Sequence, residues 1–226
     1  NKYIYKMKIL IYAAHPDDEA FGCAGAILRH VRKKDKVYVV FFTNGEGSRK
    51  NLSKKFLEKQ INRRKNQSTL VAKKLGIKKT FYENFDDNEL DKNSLLTLVR
   101  VAEKYKAIIK PDIVYTHFFN DLNIDHKLVS KAVITAYRPN NRENCKQIYF
   151  FEILSNTNLS IGKHLFLPNY FIDISKYINK KLSICKIYKN EIKKKQGRSL
   201  KDIKNLAEHR GSQSNFKFAE AFQIHK

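Results

Sequence analysis

Strand-length apolar runs alternate with helix-length amphipathic stretches along most of this chain, and that alternation limits its fold more than any other feature. "KILIYAA" (8–14) precedes a helical pattern at 22–34, and "KVYVVFFT" (36–43) precedes a longer one at 53–75 that Gly76 closes. "KTFYEN" (79–84) leads to a helix at 93–109. "KPDIVYTHF" (110–118), entered through Pro111, leads to a helix at 126–137 that ends before Pro139. "QIYFFEIL" (147–154) and "YFIDIS" (170–175) are the remaining predicted strands. Ser175 is expected to cap a helix reaching about 195, and a last helix over 199–209 is expected to stop at Gly211. Strands separated by helices join through right-handed crossovers into a mostly parallel sheet with helices on both faces. No repeat or low-complexity linker interrupts the pattern, so residues 1–226 read as one α/β domain.

Where composition enters, it narrows the function classes. At 226 residues and 42% hydrophobic content, the chain can bury a substantial core. "VYVVFF" (37–42) is strand-sized, and no apolar run reaches the length of a membrane span. Lys6 and Lys8 break the N-terminal apolar stretch, so no signal peptide is expected. Cys23, Cys145 and Cys185 are odd in number and form no CxxC pair, which argues against a disulfide framework and for a reducing, cytoplasmic setting. Lys and Arg total 45 against 22 Asp and Glu, a formal charge of +23. Such a field attracts polyanions. The lysines are nonetheless dispersed over helix faces without interleaved aromatic platforms, so they read as solvated surface, with no specific nucleic-acid partner.

In open parallel sheets, ligands bind at the carboxyl ends of the strands. The four polar loops at those ends hold His15-Pro16-Asp17-Asp18-Glu19, "TNGEGSR" (43–49), "NFDDNELD" (84–91) and "THFFNDLNIDH" (116–126). They are the loops richest in His, Asp, Asn and Glu. "FGCAG" lacks the G-x-G-x-x-G pattern, and the acidic run sits where a phosphate would bind, so the pattern argues against a dinucleotide site; no P-loop is present. Two imidazoles and a carboxylate on one rim suit a metal centre with open positions, zinc or ferrous iron. A divalent cation would also offset the repulsion among Asp17, Asp18 and Glu19. Read alone, His15-Pro16-Asp17-Asp18 would equally suit a turn that caps a helix.

The stretch "AHPDDEAFGCAGAILRH", followed by "TNGEGSR" and "NDLNIDH", resembles the LmbE/PIG-L family of zinc-dependent N-deacetylases, and the likeness extends to "PNYFIDIS", "RSL" and "RGSQ…FAEAF". The resemblance implies a Rossmann-like fold, zinc held by His15, Asp18 and His126, Asp17 as general base, and an N-acetylated amino sugar or sugar conjugate as substrate. Many members carry His-Pro-Asp-His where this chain has Asn123-Ile124-Asp125-His126. Asn123 can donate a hydrogen bond to an oxyanion but supplies no proton to a leaving amine. His117 is the nearest alternative donor in sequence. Asp125 is expected to orient a ligand. Arg49, Asp87 and Asn88 are candidate contacts to substrate. His30 and His225 read as surface residues, His164 and His209 receive no role, and Cys23 reads as packed. A metal-dependent hydrolase of another amide or ester, or a basic non-catalytic binding protein, stands as the competing reading. A homo-oligomer is compatible with all three.

Overall fold

The computed structural model describes residues 6–47, 53–139, 145–193 and 197–225. In chain order its regular elements are β1 (Lys8–Ala13), α1 (Asp18–Arg32), β2 (Lys36–Thr43), α2 (Lys54–Leu75), β3 (Lys79–Phe85), α3 (Leu95–Ile109), β4 (Ile113–His117), α4 (Ile124–Ala136), β5 (Gln147–Phe151), β6 (Tyr170–Asp173), α5 (Ile178–Cys185), α6 (Leu200–Ser212) and β7 (Ala219–Ile224). The strands form one sheet of order β3-β2-β1-β4-β5-β7-β6. β1 to β5 pair in parallel, while β7 runs antiparallel to both β5 and β6. The expected α/β class with a mostly parallel sheet holds.

Period-two alternation along β1 supplies both cores. Ile9, Ile11 and Ala13 face the layer made by α1, α2, α5 and α6, and Leu10, Tyr12 and Ala14 face α3 and α4. All six are fully buried. β1 lies between β2 and β4 because the chain winds outward to β3 and then returns to the other side of β1. The crevice at the carboxyl ends of β1 and β4 is therefore the switch point where open sheets of this kind bind ligands.

Several boundaries differ from the sequence reading, each for a local reason. α1 starts at Asp18, not near 22, because the acidic residues form its first turn. It breaks helical geometry at Cys23 (φ −145°, ψ 22°). The freed Gly25 and Ala26 N–H groups donate to the Glu220 carboxylate on β7 at 2.8 and 2.7 Å, and Lys181 Nζ pairs with the same carboxylate at 2.6 Å. Gly25 is required there, since a Cβ would come within 2.4 Å of the Ile174 side chain. β7 itself was not anticipated, because "FAEAFQI" carries its buried Glu220 in place of a strand-like apolar alternation. α5 ends at Cys185, well short of 195. His30 is buried, not at the surface: Nδ1 lies 2.8 Å from Asp35 and Nε2 lies 3.0 Å from the Tyr115 hydroxyl. Among the described residues, no helix is long and apolar enough to cross a membrane.

Gly211 lies inside α6 and does not stop it. A Cβ there would sit 2.6 Å from the Phe216 carbonyl oxygen and 2.8 Å from that of Lys217, both backbone atoms. Gly211→Ala should therefore destabilise the protein by about 1–3 kcal/mol, read as a lowered midpoint in denaturant unfolding with the slope unchanged. An unchanged midpoint would show that the loop after α6 yields freely.

Candidate active site

The loop after β1 and the loop after β4 meet across the switch point. Asp18 opens α1, and His126 sits in the first turn of α4. Asn123 caps α4: its Oδ1 accepts the N–H groups of Asp125 (2.8 Å) and His126 (3.2 Å). That cap fixes where His126 points. His15 Nδ1 lies 3.2 Å from His126 Nε2 and 3.4 Å from Asp18 Oδ2, and His126 Nε2 lies 3.4 Å from Asp18 Oδ1. Donors bound to one tetrahedral zinc-class ion at about 2.0–2.1 Å stand about 3.3–3.4 Å apart, so the two imidazoles and the Asp18 carboxylate are close enough to share a single cation.

A second grouping, His15 with Asp87 and Asp125, is also compact. Its carboxylates are already engaged. Asp125 accepts the Asn88 N–H at 2.7 Å and the Leu90 N–H at 3.2 Å, and Asp87 accepts the Gly47 N–H at 3.2 Å. Both also approach His15 Nε2 at 3.2 Å. They are suited to fix the ring of His15 with Nδ1 aimed at Asp18 and His126. The matching partner of His126 is Asp121, whose Oδ1 lies 3.1 Å from Nδ1. Asp121 in turn accepts from Thr157 Oγ1 at 2.5 Å and from the Asn123 N–H at 2.9 Å. Each of these two candidate ligands thus has a carboxylate behind it, as histidines around a metal usually do.

Titratable groups in this cluster are strongly shifted from their ordinary values. Burial alone would lower the pKa of His126, but Asp18 and Asp121 override it and hold the group at about 9. His15 is likewise held well above its ordinary value, against burial, by Asp125, Asp18 and Asp87. Asp18 lies well below the usual carboxylate range, because the charges of His126 and His117 overcome its burial. Burial, with Asp18 and Glu191 adding to it against the pull of Arg64, lifts Asp17 to about 7.

Asp17 adopts φ 155°, ψ −25°, a conformation that costs an L residue about 1–3 kcal/mol. Glu19 holds it there: Oε2 accepts the Asp17 N–H at 3.0 Å while Oε1 accepts from the Tyr188 hydroxyl at 2.8 Å. The Asp17 carboxylate is set by Arg64, a buried arginine of α2 that donates to Asp17 Oδ2 at 3.1 Å and to the Pro16 carbonyl at 3.1 Å. Arg64 also pairs with Glu46 at 3.1 Å and Glu191 at 2.5 Å. Arg64→Met removes the buried cation that these three carboxylates share, although Glu46 also has Arg63 at 3.3 Å. It should cost about 3–5 kcal/mol of unfolding free energy near neutral pH. The loss should shrink in acid, where the stranded carboxylates protonate; a variant as stable as the parent at pH 7 would contradict the pairing.

These groups line a cavity of about 520 Å³ whose walls include His15, Asp17, Asp18, Asp87, Asn88, Asn123, His126, Arg64, Lys193 and Arg198. A more open depression of about 670 Å³ on α2, lined by residues such as Lys55, Lys59 and Leu70, holds none of the clustered histidines. Of the residues expected from sequence, Asp87 and Asn88 reach the cavity, but Asp87 is spent on His15 and Gly47, and Asn88 Oδ1 accepts from Asn123 Nδ2 at 3.0 Å. Arg49 lies outside the described residues. His117 is not at the cavity. It is fully buried, its ring stacked on that of His126 at 3.8 Å, with Nε2 accepting the Ala14 N–H at 2.9 Å. Burial, reinforced by the His126 charge, lowers its pKa to about 4. A proton donor must reach the leaving nitrogen. A neutral ring behind a ligand does not, so the expectation of His117 as donor gives way to one of support for His126 and β1.

Fold and site together define an α/β protein with a cluster of His and Asp side chains that could hold a metal ion at the switch point of its sheet. The chain belongs to the PIG-L family, described as GlcNAc-PI de-N-acetylase, which it matches over residues 10–137. It is 25% identical over 198 residues to the probable N-acetyl-alpha-D-glucosaminyl L-malate deacetylase 2 of Bacillus subtilis strain 168, covering 82% of this chain and 84% of that protein. Its fold matches N,N'-diacetylchitobiose deacetylase from Pyrococcus horikoshii with a TM-score of 0.77 at 19% identity, over 96% of this chain and 83% of the other. It also matches GalB, the 4-carboxy-2-hydroxymuconate hydratase of Pseudomonas putida KT2440, with a TM-score of 0.73 at 20% identity, over 97% and 96% of the two chains. The scaffold therefore carries more than one chemistry, and the function must be argued from the site.

Proposed function

We propose that the protein is a metal-dependent hydrolase that removes the acetyl group from an N-acetylated amino sugar or sugar conjugate. The observation that carries this reading is the convergence of His15 Nδ1, His126 Nε2 and the Asp18 carboxylate in a cavity that also presents Asp17. Family membership and the deacetylase relatives support the acetamide as the bond that is cut.

His15, Asp18 and His126 would hold the cation, zinc or ferrous iron. The chemistry supplied by a bound divalent cation there is Lewis-acid polarisation of the amide carbonyl and acidification of water. Asp17 takes the water proton on its carboxylate, with Oδ2 anchored by Arg64 so that Oδ1 remains for the transfer. The oxygen of that water joins the acetyl carbon, the C–N bond breaks, and Asp17 returns the proton to the nitrogen. The products are acetate and the free amine. Asn123 keeps a second Nδ2 proton beyond the one given to Asn88, a donor suited to the developing oxyanion. Asp125 and Asp121 hold the two ligating rings in place.

Acetate and free-amine release from a panel of N-acetylated sugars, simple acetamides and acetyl esters tests this reading. Hydrolysis confined to the acetylated amino sugars is the expected result. Preference for esters or for amides without a sugar would favour the broader hydrolase reading instead.

A further inference from the structure

Lysines are mostly exposed in this protein, yet Lys181 is only 4% exposed, the one buried lysine among the described residues. Its Nζ donates to the Phe21 carbonyl at 2.9 Å and to Glu220 Oε1 at 2.6 Å. The same oxygen accepts the Gly25 N–H at 2.8 Å, and Oε2 accepts that of Ala26 at 2.7 Å. In an unbroken helix the Gly25 N–H would donate to the Phe21 carbonyl. The ion pair therefore stands in place of one rung of α1, at the break marked by Cys23. Before that break lies the turn that opens with Asp17 and Asp18.

Two further residues hold the same turn. Cys185, one helical turn after Lys181 on α5, donates its Sγ–H to the Ala20 carbonyl at 3.4 Å. Tyr188, just beyond α5, donates its hydroxyl to Glu19 Oε1 at 2.8 Å. Positions 181, 185 and 188 are spaced as one helical face. They meet Phe21, Ala20 and Glu19 in that order, so the match runs residue by residue along the turn. Its last member bears on Asp17, because Glu19 Oε2 accepts the Asp17 N–H at 3.0 Å and so holds the costly φ of 155°. Cys185 and Tyr188 are fully buried, and Glu220 is 4% exposed. A buried ion pair adds little net stability over an apolar replacement, but each of its hydrogen bonds has a direction that must be met. Direction is what this pair supplies at the break.

We infer that this face, with Glu220, is a template for the turn 17–21, and that Lys181, Glu220 and Tyr188 are positioning residues for Asp17 and Asp18. They act through the Phe21 carbonyl, the Gly25 and Ala26 N–H groups and the Glu19 carboxylate. None of the three lines the cavity. Their loss should therefore misplace the proton acceptor and one candidate ligand without removing a contact to substrate, and small misplacements cost large factors in rate. The effect on turnover rests on the deacetylase reading; the effect on the cation site does not depend on turnover.

The test compares the full chain with three variants, each loaded with cobalt(II), whose absorption spectrum reports the arrangement of its ligands, and each titrated with zinc against a competing chelator. Tyr188→Phe removes one hydroxyl. Lys181→Met combined with Glu220→Gln removes the ion pair as a unit and strands no buried charge. Gly211→Ala is the control for lost stability, since its crowding falls on Phe216 and Lys217. Tyr188→Phe and the double variant should shift the cobalt spectrum and weaken zinc binding by about tenfold or more. They should also lower kcat on an N-acetylated amino sugar by about tenfold or more, with KM nearly unchanged. Gly211→Ala should lose stability and keep the parent's spectrum, zinc affinity and kcat. If the double variant does not fold, Tyr188→Phe decides. The parent's spectrum and zinc affinity retained in Tyr188→Phe, or the same changes appearing in Gly211→Ala, overturn the assignment. A parent that hydrolyses no N-acetylated sugar removes the deacetylase reading, while spectrum and zinc affinity still decide the positioning. Hydrolysis by the parent with no change in Tyr188→Phe keeps the deacetylase and removes the template.

Discussion

Asp17→Asn should lower the rate of deacetylation by about a hundred-fold or more while the metal stays bound. The substitution keeps the size of the side chain and removes the group that accepts the water proton. Asn has the same branching at Cγ as Asp, so the backbone at φ 155° meets no new clash. Arg64 would still have Glu46 and Glu191. Rate and metal content must therefore be measured together. Near-full turnover, or loss of the metal with the activity, would show that Asp17 is not the base.

His126→Ala should remove the metal almost entirely, taking metal content from one ion per chain towards none. An ion that binds His126 has to displace any proton held on its ring. His126 is held at about 9 by Asp18 and Asp121 against its burial, so at neutral pH it is protonated. Metal uptake should then release protons, and affinity should rise with pH towards that value. The same charge has a sign for stability. In the metal-free protein, the raised pKa of His126 contributes stability that is fully present below about 6.5 and lost as pH rises through about 9. Calorimetry of zinc binding in two buffers of different ionisation enthalpy reads the proton release directly. A heat that does not depend on the buffer would contradict the protonated resting site. Asp121→Ala should weaken metal binding by about 10–100-fold, since it frees the ring of His126 without removing a ligand.

The parallel sheet was legible because each crossover needs a strand, a helix and turn residues in sequence, and Gly76 closes α2 as local chemistry requires. The clustering of His15, Asp18 and His126 was legible because they lie at strand ends. What escaped depends on contacts between distant segments. Arg64 sits mid-helix among other basic residues, and only folding brings it to Asp17. Asp121 lies beside the better-marked Asp125; the need of each ligating histidine for its own carboxylate was the one signal that pointed to a second acid. Glu220 and Lys181 form a buried pair across β7 and α5, which a linear pattern of apolar residues cannot reveal. His117 misled because it shares the rim in sequence. One residue of strand geometry turns its ring under His126 instead of into the cavity.

In the proposed reaction, hydrolysis of the acetamide needs one cation at His15, Asp18 and His126. The most direct test is acetate release from an N-acetylated amino sugar by protein stripped with a chelator and then titrated with zinc or ferrous iron. Activity that is absent after stripping and returns in proportion to metal, reaching its plateau at one ion per chain, is the predicted result. Acetate release that continues unchanged in fully stripped protein would contradict it.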